Sequence, residues 1–143
     1  RISPEHRKVG IRLNDSLVLG EMLVEAGVDF IHISCWDCSW GSSEFKDDDR
    51  TLTQWFSERL DNAVPIISAG GIWSTAQARS VMGHGADMVA VARAAIGHAD
   101  WASHISDEMY DPSKHPFSSE HLEKQGLSQT FIQYMRGWDG FVS

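Results

Sequence analysis

The chain has 143 residues, is 42% hydrophobic and 22% charged, and carries a net charge of −8 with histidine neutral. This is the composition of a soluble globular domain with a core of its own, and the acidity excludes a broad nucleic-acid-binding face, which needs a basic surface. No apolar run nears the roughly 20 residues that span a bilayer, and no basic-then-apolar leader opens the chain. It begins with Arg1 rather than Met, so we expect a fragment or a processed product.

"NDSLVLGEMLVEAG" predicts a first helix capped by Asn14 or Asp15, with Leu19, Met22, Leu23 and Ala26 as its apolar stripe and Gly27 as its stop. "VDFIHIS" follows as a short strand of β-formers. "CWDCSWGSSEFKDDDR" is polar and rich in turn residues, and reads as a loop; its acidic run, Glu44 to Asp49, reads as a solvated face. "TLTQWFSERLDN" places Leu52, Trp55, Phe56 and Leu60 on one face of a second helix.

"AVPIISA" is almost wholly apolar, as expected of a parallel strand buried on both faces. Ser74 or Thr75 then caps a third helix through Met82, with Ala78, Val81 and Met82 inward and Gly83 and Gly85 at its end. "DMVAVA" is another short strand, and "RAAIGHADWASHI" one or two short helices. Helices and strands alternate, which implies a parallel sheet with crossover helices. The unit repeats weakly: Gly27-Val28-Asp29-Phe30 matches Gly85-Ala86-Asp87-Met88 in pattern. From about Tyr110 the pattern fades, but "FIQYMRGWDGFVS" regains aromatic weight and is expected to dock.

Two features carry chemistry. Cys35 and Cys38 form a C-x-x-C pair, which serves redox or metal chemistry in other settings. With no second pair to complete a metal site, they read as structural or incidental thiols in a reducing cytoplasm. The second feature is Gly70-Gly71, between an apolar strand and a helix start, with Arg93 just after the next strand. Glycines let a ligand approach backbone N–H groups, a helix amino end favours an anion, and arginine adds charge-assisted hydrogen bonds. Together they make a plausible phosphate clamp, although close packing alone would also require the glycines, and Arg93 would also serve as a surface ion-pair partner.

"VPIISAGGIWSTAQARSVMGHGADMVAVARAAIGHADW" resembles the last two βα units of the old yellow enzyme family, FMN-dependent NAD(P)H:flavin oxidoreductases, whose pattern reads Pro-Val-Ile-x-x-Gly-Gly-Ile, then Gly-Ala-Asp-x-Val-x-x-Gly-Arg and Ala-Asp-Pro-x-Trp. "RISPE" resembles the end of the family's fifth barrel strand, and "LVEAGVDFIHIS" its next helix and sixth strand. The resemblance implies an α/β chain that is the carboxy-terminal part of a (β/α)8 TIM barrel, about strands 6 to 8 plus the end of strand 5. Residues 1–109 would be those βα units, and residues 110–143 a tail docking on the barrel or on a neighbouring subunit.

The resemblance also implies site residues. Gly70 and Gly71 fall where backbone amides hold the FMN phosphate. Ala92 and Arg93 fall at the Gly-Arg position that holds the same phosphate, with Ala92 replacing the glycine. Arg1 falls beside the flavin ring, where a cation stabilises the anionic reduced flavin. "YMRGW", Tyr134 to Trp138, resembles the terminus of a bacterial branch in which the arginine enters a neighbouring subunit's active site, making Arg136 a candidate substrate-binding residue.

The implied parent reaction is reduction of an activated C=C bond in a small enone-type acceptor, with NADH or NADPH giving hydride to FMN. A whole barrel of this kind needs eight strands and about 250 residues. The family's proton-relay residues lie in the part not present, and His32, His84, His98, His104, His115 and His121 do not match them. We therefore assign no catalytic residue and no metal, and expect the chain to be inactive alone and to associate with the missing half or with its own copies. Neither membrane nor nucleic acid is an expected partner. Two alternatives stay open: another phosphate-binding TIM-barrel enzyme without flavin, and a non-catalytic oligomerising half-barrel.

Overall fold

Three helix–strand units follow one another through residues 11–143, the part that the computed structural model describes. α1 (Leu13–Glu25) leads to β1 (Ile31–Ser34), α2 (Leu52–Leu60) to β2 (Ile66–Ala69), and α3 (Thr75–Gly83) to β3 (Met88–Ala90). α4 (Arg93–Gly97), a 3₁₀ turn at Trp101–His104, α5 (Ser119–Lys124) and α6 (Gln129–Met135) follow. The strands are parallel in the order β1-β2-β3, with Ser34 opposite Ala69 and Ala69 opposite Ala90. Adjacent strands therefore end side by side at one edge. The fold is α/β, and its sheet is compatible with part of a (β/α) barrel.

Local chemistry explains most of the boundaries. Thr51 and Ser74 cap α2 and α3, each accepting the N–H of a glutamine three residues on while that glutamine's side chain accepts the cap residue's N–H. Gly27 and Gly85 follow α1 and α3 at φ +85° and +95°, a region that suits glycine. The N-cap of α1 falls two residues before the nearer of the caps expected from sequence. Arg12 is its N-cap; Asp15 accepts the Arg12 N–H at 3.2 Å, and Glu44 accepts the Leu13 N–H at 3.0 Å.

The acidic loop is thus more than a solvated face. Glu44 caps a helix, and Asp48 pairs with Arg50 at 2.6 Å, which holds its carboxyl down to about 2. Arg50 also lies over the Trp55 ring, 3.5 Å from its centroid, and Phe45 stacks on that ring at 5.1 Å. These contacts turn Trp55 toward the loop, whereas Leu52, Phe56 and Leu60 pack below the sheet as expected.

Helices cover one face of the sheet. Ile31, Ile33, Ile66 and Ser68 are buried there, and Ser68 shares a buried hydroxyl–hydroxyl hydrogen bond of 2.8 Å with Thr53. On the other face His32, Ser34 and Met88 are exposed, and Ile67, Ala69 and Ala90 are half-buried. The expectation that β2 is buried on both faces is corrected: among the described residues no layer covers the second face. The expected stripe of α1 is corrected too. Its buried residues are Leu17 and Gly20, with Val24 partly buried, because the bare backbone of Gly20 admits the Phe56 ring. Leu19, Met22 and Leu23 face outward, as does Met82 on α3.

The segment after Tyr110 joins the larger core. Leu122, Ile132, Met135 and Phe141 pack in one cluster with Trp73, Trp101 and Phe117. Trp101 Nε1 donates to the Trp73 carbonyl at 2.6 Å, and Phe117 exchanges backbone hydrogen bonds with Phe141 and Ser143. Histidine rings add ties, His98 donating to the Ser113 carbonyl, His115 to that of Gly140 and His121 to that of Gly97. Tyr134 and Trp138 stay exposed. No described helix is long and apolar enough to cross a membrane.

Candidate functional site

The loops after β1, β2 and β3 meet at the carboxy-terminal edge of the sheet. β2 ends at Ala69, and Gly70 and Gly71 follow with φ of +140° and +67°. Both values strain an L side chain. What comes close to them is the chain's own β1 loop. A Cβ on Gly70 would overlap the Cys35 carbonyl, and one on Gly71 would stand 3.0 Å from Asp37 Oδ2. Cys35 N donates to the Ala69 carbonyl at 2.9 Å and Cys38 N to the Gly70 carbonyl at 3.0 Å, so the loop is tied to β2 on both sides of Trp36 and Asp37. Close packing therefore accounts for the absent side chains.

The glycine backbone still has donors to offer. Among the described residues no acceptor takes the N–H groups of Gly70, Gly71 or Ile72. The amino end of α3 is less available than its position suggests. Gln77 Oε1 takes the Trp73 and Ser74 N–H groups, Ser74 Oγ takes that of Gln77, and the Tyr110 carbonyl takes that of Thr75. The free donors lie just ahead of the helix.

Arg93 starts α4 on the neighbouring β3 loop. It has no carboxylate partner among the described residues, and its guanidinium lies 5.9 Å from the centroid of the Trp36 ring. Ala92 adopts φ −121° and is exposed, so its methyl is accommodated without left-handed strain where the family pattern has glycine. Unpaired N–H groups on one loop and an unneutralised guanidinium on the next suit a phosphate ester. Asp37 opposes an anion on its own side of Gly71, but Oδ1 of that carboxylate is held by Ser39 N at 2.9 Å and Ser39 Oγ at 2.6 Å, which fixes it as part of the loop. Between this loop and α3 lies a cavity of about 50 Å³ lined by Asp37, Ser39, Gln77 and His84 among others, room for water and not for a flavin.

The two cysteines are free. Burial and then Asp37 push the Cys35 thiol up; burial, then Cys35 and Asp37, push Cys38 up to about 11. Cys35 Sγ donates to the Ala69 carbonyl at 3.1 Å. Protonated thiols are poor nucleophiles and poor metal ligands, and no described group of three His, Cys, Asp or Glu side chains is placed to hold a metal.

Arg1 lies outside the described residues. Arg136 is at the end of α6, away from the sheet edge in sequence and element, and donates to Ser119 Oγ at 2.6 Å on an exposed surface. The structure brings together Gly70, Gly71, Ala92 and Arg93 through adjacent strands; among the described residues Arg136 reaches Ser119 instead and none of these four. The residue missed in the sequence was Trp36, whose only signal was an aromatic in a polar loop directly after a strand.

Fold and site define an α/β protein of repeated βα units whose loops present backbone donors and an arginine at one sheet edge. No family model matches the chain. It is similar to the NADH:fumarate oxidoreductase of Klebsiella pneumoniae (strain 342), 37% identical over 111 residues, 74% of this chain and 12% of that protein. It is similar to the probable NADH-dependent flavin oxidoreductase YqiG of Bacillus subtilis (strain 168), 26% identical over 143 residues, 99% of this chain and 38% of that protein. It is also similar to the NADH:acrylate oxidoreductase of Vibrio harveyi, 29% identical over 113 residues, 76% and 11% of the two chains. The chain thus spans well under half the length of these curated relatives. At low to moderate identity they point to the old yellow enzyme-like oxidoreductases.

Proposed function

We propose that the chain is the carboxy-terminal part of an FMN-dependent NADH oxidoreductase of the old yellow enzyme type, and that it supplies the phosphate side of the flavin pocket. The observation that carries this reading is the pairing of N–H groups at Gly70, Gly71 and Ile72 with Arg93 on the next loop, all without a partner among the described residues. Similarity to relatives named as NADH-dependent flavin, fumarate and acrylate oxidoreductases supports the flavin, favours NADH over NADPH as donor, and favours an activated alkene bearing a carboxylate as acceptor.

FMN, when bound, would relay hydride from NADH to the C=C bond. In this reading the backbone of Gly70 to Ile72 donates to the phosphate, Arg93 balances its charge, and Ala92 leaves the approach open. Arg136, with its guanidinium exposed beside Ser119, is free to meet an acceptor carboxylate in a neighbouring subunit. Arg1 would lie near the flavin ring. The sheet face that no described layer covers and the outward stripe of α1 fit a chain that associates with further βα units or with its own copies.

The test is the visible absorption spectrum of the purified chain, alone and after FMN or riboflavin is added. Tighter binding of FMN than of riboflavin, lost in Arg93→Ala, is the expected result. Equal affinities would remove the phosphate site, and no flavin band at high FMN would remove flavin binding by this chain. Binding of inorganic phosphate without flavin would favour a phosphate-binding barrel of another chemistry.

A further inference from the structure

We propose that Trp36 is a positioning residue for Arg93, its indole face holding the guanidinium at the anion end of the site without neutralising it. This rests on the phosphate reading for the role of Arg93. Trp36 is 71% exposed, the most exposed aromatic side chain among the described residues. Such exposure is costly on a free loop, yet this loop is not free: Cys35 and Cys38, on either side, both donate to the backbone at the end of β2. Trp36 is thus carried on a fixed support at the mouth of the site.

Arg93 Cζ is 5.9 Å from its ring centroid, inside the range over which an aromatic face attracts a cation. A carboxylate at that place would fix Arg93 equally well but would cancel its charge. An aromatic face fixes the cation and leaves the N–H edge of the guanidinium open for two parallel hydrogen bonds to phosphate oxygens. The ligand class implied is a phosphate monoester. The aromatic ring and the phosphate clamp come from two different βα loops, so the contact also ties the β1 loop to the β3 loop across the end of β2.

Affinities of the chain for FMN and riboflavin, measured by flavin fluorescence, test the proposal in Trp36→Ala, Trp36→Phe, Arg93→Ala and the double variant Trp36→Ala/Arg93→Ala. Trp36→Ala is expected to weaken FMN about 2- to 5-fold and leave riboflavin unchanged. Trp36→Phe, which keeps a ring, is expected to restore most of the loss. In the Arg93→Ala background Trp36→Ala is expected to have no further effect. Equal weakening of both flavins would make Trp36 a ring-stacking residue and overturn the proposal, as would full additivity. If Arg93→Ala binds FMN as well as the unaltered chain, the phosphate reading fails and the proposal falls with it. The ligand-free Arg93 Nε–H resonance supplies a second test: ring-current displacement that disappears in Trp36→Ala supports the contact, and an unmoved resonance overturns it.

Discussion

The carbonyl of Cys35 fills the place where Gly70 would carry its Cβ, so two successive βα loops are locked backbone against backbone. Neither partner is a flexible side chain, and Gly70 has φ +140°. Gly70→Ala is therefore expected to destabilise the chain by at least about 2 kcal/mol, the strain and the overlap acting together. Gly71 differs: its neighbour at 3.0 Å is the Asp37 carboxylate, a side chain held only by Ser39 rather than a backbone carbonyl. Gly71→Ala should cost about 1–2 kcal/mol for the left-handed backbone alone, and Asp37→Ala should recover only the remainder. Chemical denaturation of the three variants gives the order.

Burial, with Cys35 and Asp37 close by, pushes the Cys38 thiol up from an ordinary 9.0 to about 11. Its thiol is buried, and the folded state disfavours the thiolate. The stability linked to this group is complete below pH 9 and is lost as pH rises toward 11, since the unfolded chain gives up the proton first. The loss should be on the order of 1–3 kcal/mol. Denaturation midpoints measured from pH 8 to 11 should fall more steeply for the unaltered chain than for Cys38→Ala. Parallel curves would mean that Cys38 does not titrate as its burial and neighbours require.

The alternation of helix and strand was legible because its signals are local. Thr51 and Ser74 cap through residues three positions on, and Gly27 and Gly85 stop their helices by their own backbone freedom. What could not be read depends on distant partners. The buried side of α1 is set by Gly20, whose missing side chain makes room for Phe56 and carries no hydrophobic signal of its own. Trp55 looked like a core residue until Arg50 and Phe45 sandwiched it in the loop. Gly70 and Gly71 announced a close approach but not its source. Trp36 reached the site only because hydrogen bonds to Ala69 and Gly70 fold its loop over β2.

Trp101 ties the turn after α4 to the start of α3. Its Nε1 donates to the Trp73 carbonyl at 2.6 Å, and both rings are 5% exposed. Trp101→Phe keeps an aromatic in the core but leaves that carbonyl without its partner, at a cost of about 1–3 kcal/mol for the unsatisfied group plus the lost ring volume. The Trp73 loop leads back to Ile72 and Gly71, so FMN affinity should fall as well. Loss of stability with unchanged FMN affinity would separate the core contact from the site.

Leu19 and Met22, at 45% and 59% exposure, extend along the outer face of α1, and the second face of the sheet leaves Met88 at 46%. Apolar surfaces of this kind drive association, and the outer edges of β1 and β3, unpaired among the described residues, add backbone groups to them. The chain on its own is therefore expected to form dimers or larger species at micromolar concentration. Leu19→Lys/Met22→Glu places charge on the stripe without touching Leu17, Gly20 or Val24, so its unfolding free energy should stay within about 0.5 kcal/mol of the unaltered chain. Its sedimentation coefficient should fall toward the monomer value. A chain that already sediments as a stable monomer would show that these surfaces need no cover, and would take away the support they lend to a fold completed by further βα units or by a second copy.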